Sequence, residues 1–123
     1  MGIYSGRPKW ECDCSYGGDC PSTALHRGSC ESNNIQDCFD DIMSIESVGI
    51  YKPNAKVYEI PIKKYDCKPE NICFMSSNTW DVSGGGNYGY SAIWVNRNKN
   101  FFDNLDYKPK NEVENLKQLL NII

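Results

Sequence analysis

The sequence predicts an α/β domain with parallel strands, on three observations. Two short apolar runs, NICFM at residues 71–75 and SAIWV at residues 91–95, are bounded by polar residues, as buried strands are. A stretch of helix-like spacing precedes the first run, and another closes the chain. The order helix, strand, helix, strand, helix then implies a parallel layer, because strands joined through a helix run the same way.

Residues 1–34 stand apart from this pattern. Within them WECDCSYGGDCPSTALHRGSCESNN follows neither a 3.6-residue nor a 2-residue period and is rich in Gly, Ser, Cys and Asp. It reads as an irregular cysteine-rich segment. The abrupt change near Asn34 motivates the expectation that this stretch is not native in sequence, through a frameshift or a retained intron. An intact, in-frame transcript would overturn it.

Residues 35–123 carry the domain. Residues 40–48 mix apolar and polar positions, and Pro53 stops any preceding helix while suiting the first turn of the next. In AKVYEIPIKKY, Val57, Ile60 and Tyr65 fall at helical spacing, and Pro61 is expected to kink or shorten that helix. Residues 80–88 form a short helix or a turn. Gly84, Gly85 and Gly86 each cost a helix about 1 kcal/mol relative to alanine, and they are expected at a helix start packed near the sheet. At the end, Asn111 with Glu114 suggests a capping box. Val113, Leu116, Leu119, Leu120 and Ile123 then share one helical face.

Composition narrows the function classes. The chain has 123 residues, enough for one ordinary domain, with 40% hydrophobic and 24% charged residues. A net charge of -3 argues against binding nucleic acid or an anionic membrane. No apolar run approaches the roughly 20 residues of a membrane helix, and MGIYSGRPKW lacks the apolar core of a signal peptide. The expected compartment is therefore the reducing cytoplasm, where disulfides are rare. Of seven cysteines, Cys12, Cys14, Cys20, Cys30 and Cys38 crowd the first third, with His26 among them. That set supplies enough ligands for zinc, although the spacing matches no pair of C-x-x-C units. A non-enzymatic module that binds zinc or a partner is the alternative reading.

The polar stretch SSNTWD follows the first apolar run. Ser76, Ser77, Asn78 and Asp81 thus sit just past the carboxyl end of a strand, where α/β sheets bind ligands. Ser77 or Asn78 could equally serve as a helix cap. No lysine follows the glycines, as a phosphate loop requires, and they come after Asp81 rather than before the helix, unlike a dinucleotide fingerprint. Asp81 is the only acid in the stretch, and magnesium needs more. Taken alone, Lys52 before Pro53 reads first as a solvated surface lysine, and Tyr58, nearly two turns on, as a core residue.

Taken together, FDDIMSIESVGIYKPNAKVYE, ICFMSSNTWDVSGGGNYGYSAIWVNR and the C-terminal stretch resemble the C-terminal half of the type II (S)-2-haloacid dehalogenases, in the haloacid dehalogenase (HAD) superfamily. The resemblance runs from about residue 34 to residue 123. It implies a partial HAD-like Rossmannoid three-layer α/β domain with parallel strands, the family's N-terminal strand and cap missing. It implies hydrolytic removal of halide from 2-haloalkanoic acids. An aspartate attacks the halogen-bearing carbon, halide leaves, and water hydrolyses the aspartyl ester.

By the same resemblance Lys52 stabilises the nucleophilic carboxylate and Tyr58 supports the site. Ser76 and Asn78 orient aspartate and lysine, and Asp81 helps to place lysine and water. Trp80 lines the substrate pocket, and Ser5 of Tyr4-Ser5-Gly6 matches a substrate-binding Ser-Asn-Gly motif. A buried carboxylate nucleophile does need a nearby cation and hydrogen-bond donors. Ser77 stands where the superfamily's phosphatases carry a magnesium-binding acid, so no metal or cofactor is expected. The D-x-x-G-T-L motif of the nucleophile is absent, and Asp40, Asp41, Asp103 and Asp106 lack that context. The isolated chain is therefore expected to be inactive. The expected partner is a small-molecule 2-haloacid, with no nucleic acid and no membrane. An exposed sheet edge favours association, so a homodimer is also expected.

Overall fold

The computed structural model describes residues 2–4, 31–41, 43, 45 and 48–123. The two apolar runs become strands β2 (Ile72–Ser76) and β3 (Ser91–Val95), flanked by the three-residue strands β1 (Gly2–Tyr4) and β4 (Asn111–Val113). Among the described residues, the helices α1 (Ala55–Tyr65) and α2 (Thr79–Tyr88) pack beside them. The sheet order is β1-β2-β3-β4. β2 and β3 are parallel, with Cys73 opposite Ser91 and Ser76 opposite Trp94, and β3 and β4 are parallel, with Val95 opposite Val113. The parallel layer is as expected. The addition is β1, which pairs antiparallel with β2, Gly2 opposite Phe74. An antiparallel edge on a parallel sheet is a common arrangement.

Strand alternation sends side chains to two faces. Ile72, Phe74, Ala92 and Trp94 join Tyr58, Val82 and Tyr90 in one cluster under the helices. Met75, Ile93 and Val95 join Val113 and Leu119 in a second cluster on the other face. Both faces of β2 and β3 are covered, which is why these strands read as continuous apolar runs rather than as alternating ones.

Asn54 caps α1, its side chain accepting from the Lys56 N–H at 3.0 Å. The helix runs four residues past Pro61 and is not shortened by it. Proline inside a helix costs about 3 kcal/mol. Pro61 is buried with Val57 and Tyr58, and that packing keeps the helix in place.

The three glycines lie in the second half of α2, not at its start as the sequence suggested. Their reason is close approach. A Cβ at Gly84 would sit 2.5 Å from Tyr58 Oη, and one at Gly85 2.7 Å from Phe74 Cδ1; Gly86 faces the Tyr107 ring. The helix therefore lies nearer to α1 and the sheet than an alanine-bearing helix could. It ends at Gly89, with φ of 117°, whose N–H bonds the carbonyls of Gly85 and Gly86.

The helix expected over residues 111–123 does not form. Residues 111–113 pair with β3 instead, and a 3-10 turn spans Leu116–Asn121. Asn115, not Asn111, is the cap, accepting from the N–H groups of Lys117 and Gln118 at 3.0 and 3.3 Å. Val113 and Leu119 are buried, while Leu120 is 78% exposed. The apolar spacing that suggested one helical face serves a strand and a short turn.

The connection from β3 to β4 folds back over α2. Asn96 ties its start, donating to Asn100 O at 2.8 Å and to Glu112 Oε1 at 2.6 Å. Phe102 then packs edge-on against Trp94, with ring centroids 5.1 Å apart. Thr79 donates to the Asp103 carboxylate.

Candidate active site

Asp81 is the third residue of α2 and is turned toward the sheet, where it is completely buried. Tyr58, on α1, donates its hydroxyl to Asp81 Oδ1 at 2.7 Å. Lys52, from the segment entering α1, places Nζ 3.3 Å from Asp81 Oδ2, with its side chain 12% exposed. Its ammonium also lies 5.5 Å from the centre of the Phe74 ring, within cation–π reach. Removing a carboxylate from water costs several kcal/mol. Here the ammonium, the phenol and the first turn of α2 offset that cost from three directions.

Tyr58 is fixed in turn. Phe74 and Tyr90 meet its ring edge-on at centroid distances of 5.9 and 5.8 Å. The Tyr90 hydroxyl donates to the Tyr58 carbonyl. Gly84 leaves room for the phenol beside α2.

The turn from β2 to α2 is held from β3. Ser76 Oγ accepts from the Asn78 N–H at 3.2 Å. Trp94 Nε1 donates to Ser77 O at 3.1 Å, and Arg97 Nη1 donates to Ser77 Oγ at 2.8 Å. Asn78 occupies the cap position of α2, but its side chain makes no capping bond. Trp80 is 37% exposed. It lines an open cleft of 530 Å³ between α1 and α2, together with Pro53, Tyr58, Gly84 and Leu105.

The structure thus brings Lys52, Tyr58 and Asp81 into one cluster, at the carboxyl end of β2. Ser76 and Asn78 lie at the adjoining turn and are bonded to each other. Trp80 stands at the cleft, while Ser5 lies outside the described residues. Two other acids considered from the sequence are engaged elsewhere. Asp41 accepts from Tyr65 at 2.6 Å and pairs with Lys64, and Asp103 accepts from Thr79. Cys12, Cys14, Cys20, Cys30 and His26 lie outside the described residues, and Cys38 is exposed. Among the described residues no cluster of three or more His, Cys, Asp or Glu could hold a metal. Sequence reasoning missed Trp94, Arg97, Gly84 and Leu105. For Arg97 a signal existed, since it stands two residues past the carboxyl end of β3.

A family model for haloacid dehalogenase-like hydrolases matches residues 24–95, more than half of the chain. The chain belongs to this family. It is similar to the (S)-2-haloacid dehalogenase of Pseudomonas putida, 42% identical over 83 residues, which are 68% of this chain and 37% of that protein. It superposes on the crystal structure of a dehalogenase with a TM-score of 0.80 and 24% identity, over 83% of this chain and 45% of the other. A HAD phosphatase from Thermococcus onnurineus superposes with a TM-score of 0.70 and 24% identity, over 80% of this chain and 45% of the other. The chain thus spans well under two thirds of these relatives. Because dehalogenase and phosphatase share the fold, the fold does not choose between the two chemistries, and the site residues must. No helix of the described residues is long and apolar enough to cross a membrane.

Proposed function

We propose that this chain carries the supporting half of a 2-haloacid dehalogenase site. The observation behind the reading is the buried Asp81 held between Lys52 and Tyr58, in a chain similar to an (S)-2-haloacid dehalogenase. In the proposed reaction an aspartate oxygen attacks the halogen-bearing carbon. The carbon–halogen bond breaks, and its electron pair leaves with the halide. Water then cleaves the aspartyl ester and releases a 2-hydroxy acid. The Lys52 ammonium supplies the cation beside the attacking carboxylate, Asp81 fixes that ammonium, and Tyr58 fixes Asp81. Ser76 and Asn78 shape the turn beside it, and Trp80 and Ser5 contact the substrate. Ser77 supplies a hydroxyl where a metal-binding site would need an acid, so the reading assigns no metal.

No D-x-x-G-T-L motif supplies the nucleophile, so the isolated chain is expected to release no chloride from (S)-2-chloropropionate. A chimera with residues 35–123 placed behind the N-terminal part of the Pseudomonas putida enzyme is expected to release it without added metal. Turnover by the isolated chain would overturn its assignment as a supporting half. A folded chimera that hydrolyses phosphate esters with magnesium, and releases no chloride, would overturn the dehalogenase reading. The same reading places the protein in the cytoplasm as a homodimer, which sedimentation of the purified chain would test.

A further inference from the structure

We propose that Trp94 is a positioning residue of the site: by fixing one peptide unit, Ser77–Asn78, it keeps the Ser76 hydroxyl proton free for a carboxylate acceptor. The inference rests on the dehalogenase reading, in which that acceptor is the attacking carboxylate.

Strand pairing sets the geometry. Ser76 is the last residue of β2 and stands opposite Trp94 on β3. The Trp94 ring is buried, and Phe102 closes on it edge-on. The indole therefore has little freedom, and its Nε1 donates to Ser77 O at 3.1 Å. A trans peptide unit is planar, with its carbonyl and its N–H pointing opposite ways. The N–H of this same unit belongs to Asn78, and it donates to Ser76 Oγ at 3.2 Å. The Ser77–Asn78 unit is thus held at both polar atoms, by β3 at one and by β2 at the other. Arg97 Nη1 adds a third hold, on Ser77 Oγ at 2.8 Å.

Two groups depend on the orientation of this unit. Asn78 O accepts from the Val82 N–H at 3.0 Å, so the unit leads directly into the first turn of α2, where Asp81 is the third residue. The Ser76 hydroxyl is the other. A hydroxyl has one proton to donate and lone pairs with which to accept. Here the Asn78 N–H occupies an acceptor position, and Ser76 is 7% exposed. Among the described residues the Ser76 proton is given to no acceptor. A buried donor is costly to leave unused. A hydroxyl in this state suits a site that receives a carboxylate oxygen, beside the turn that leads to Asp81. Were the Ser77–Asn78 unit to rotate, the Asn78 N–H would leave Ser76 Oγ and the hydroxyl would lose the bond that orients it.

The test follows hydrogen exchange in the isotopically labelled full chain by NMR. Trp94→Phe keeps an aromatic ring against Phe102 and removes the indole donor. The Ile93 amide, on a strand paired on both sides, serves as the reference for opening of the whole sheet. Relative to Ile93, the Asn78 amide of Trp94→Phe should exchange about tenfold faster, the equivalent of one lost hydrogen bond. An unchanged ratio, or an Ile93 amide that accelerates as much as Asn78, would overturn the proposal, because Trp94 would then serve packing alone. The unsubstituted chain gives a check that needs no variant. Its Trp94 indole N–H should be protected, whereas that of half-exposed Trp80 should exchange freely; an unprotected Trp94 indole would overturn the proposal. In the chimera, Trp94→Phe should lower kcat for chloride release about tenfold at unchanged KM, since Ser76 serves the nucleophile rather than substrate binding. An unchanged kcat would overturn the positioning role. An unsubstituted chimera that releases no chloride would overturn the dehalogenase reading instead, and the exchange ratio decides the role of Trp94 independently.

Discussion

At the scale of single residues, the site is an arrangement around one buried carboxylate. Asp81 has no exposed surface, and each of its oxygens has a partner, Tyr58 on Oδ1 and Lys52 on Oδ2. Tyr58→Phe keeps the packed ring and deletes one donor to a buried charged group. Such a deletion costs about 1–3 kcal/mol. Urea unfolding should therefore show a lower midpoint at unchanged slope, and an unshifted midpoint would mean that the bond contributes nothing. These residues were legible in the sequence only as a combination. Lys52 and Asp81 are 29 positions apart, and Tyr58 and Asp81 are 23. No local pattern joins them, and each alone suits a surface or core role. Arg97 and Trp94 escaped notice because their bonds to Ser77 depend on the pairing of β2 with β3, not on any motif.

At the scale of elements, α2 sets local preference against packing. Alanine is favoured over glycine inside a helix by about 1 kcal/mol. At Gly85, however, a methyl group would meet Phe74 at 2.7 Å and Tyr90 at 3.3 Å, and both rings are buried. Overpacking of this kind typically costs about 1–3 kcal/mol. Gly85→Ala should thus destabilise the protein despite its better helix propensity, lowering the thermal midpoint. A raised midpoint would show that the rings can yield.

The same contrast explains which elements the sequence revealed. β2 and β3 were readable because both faces are buried and polar residues bound each run. The C-terminal segment was not. Residues 111–113 are a strand only because β3 offers them a partner, and the spacing of Val113, Leu116 and Leu119 fits a helix equally well. The glycines were misplaced within α2 because the aromatic rings that require them, Tyr58, Phe74 and Tyr107, are distant in sequence.

At the scale of the whole molecule, the shifted groups predict how stability responds to alkali. Burial raises the pKa of Cys73 and Cys67 above the ordinary 9.0 and that of Tyr88 above 10.0. A hydrogen bond to Glu59 raises that of exposed Lys63 above 10.5. A folded-state pKa above the unfolded value means that the folded protein holds its proton more tightly. The associated stability is complete below the unfolded pKa and is lost as pH rises through the folded value. Urea midpoints should therefore fall from pH 9 upward, chiefly through Cys73 and Tyr88, because Lys63 is fully exposed and solvent-screened. A midpoint that stays flat to pH 11 would contradict this.

The fold extends the same reading. A mixed four-stranded sheet brings the carboxyl end of β2, the entry to α1 and the first turn of α2 to one place, and the charged cluster forms there. The central claim is that this cluster serves a carboxylate nucleophile through Lys52. The most direct test is chloride release from (S)-2-chloropropionate by the chimera with Lys52→Met, compared with the unsubstituted chimera. Loss of one preorganised charge-stabilising donor typically lowers turnover about a hundredfold or more. The account predicts at least that loss in a variant whose circular dichroism shows it folded. A folded Lys52→Met chimera that releases chloride at the unsubstituted rate would contradict it.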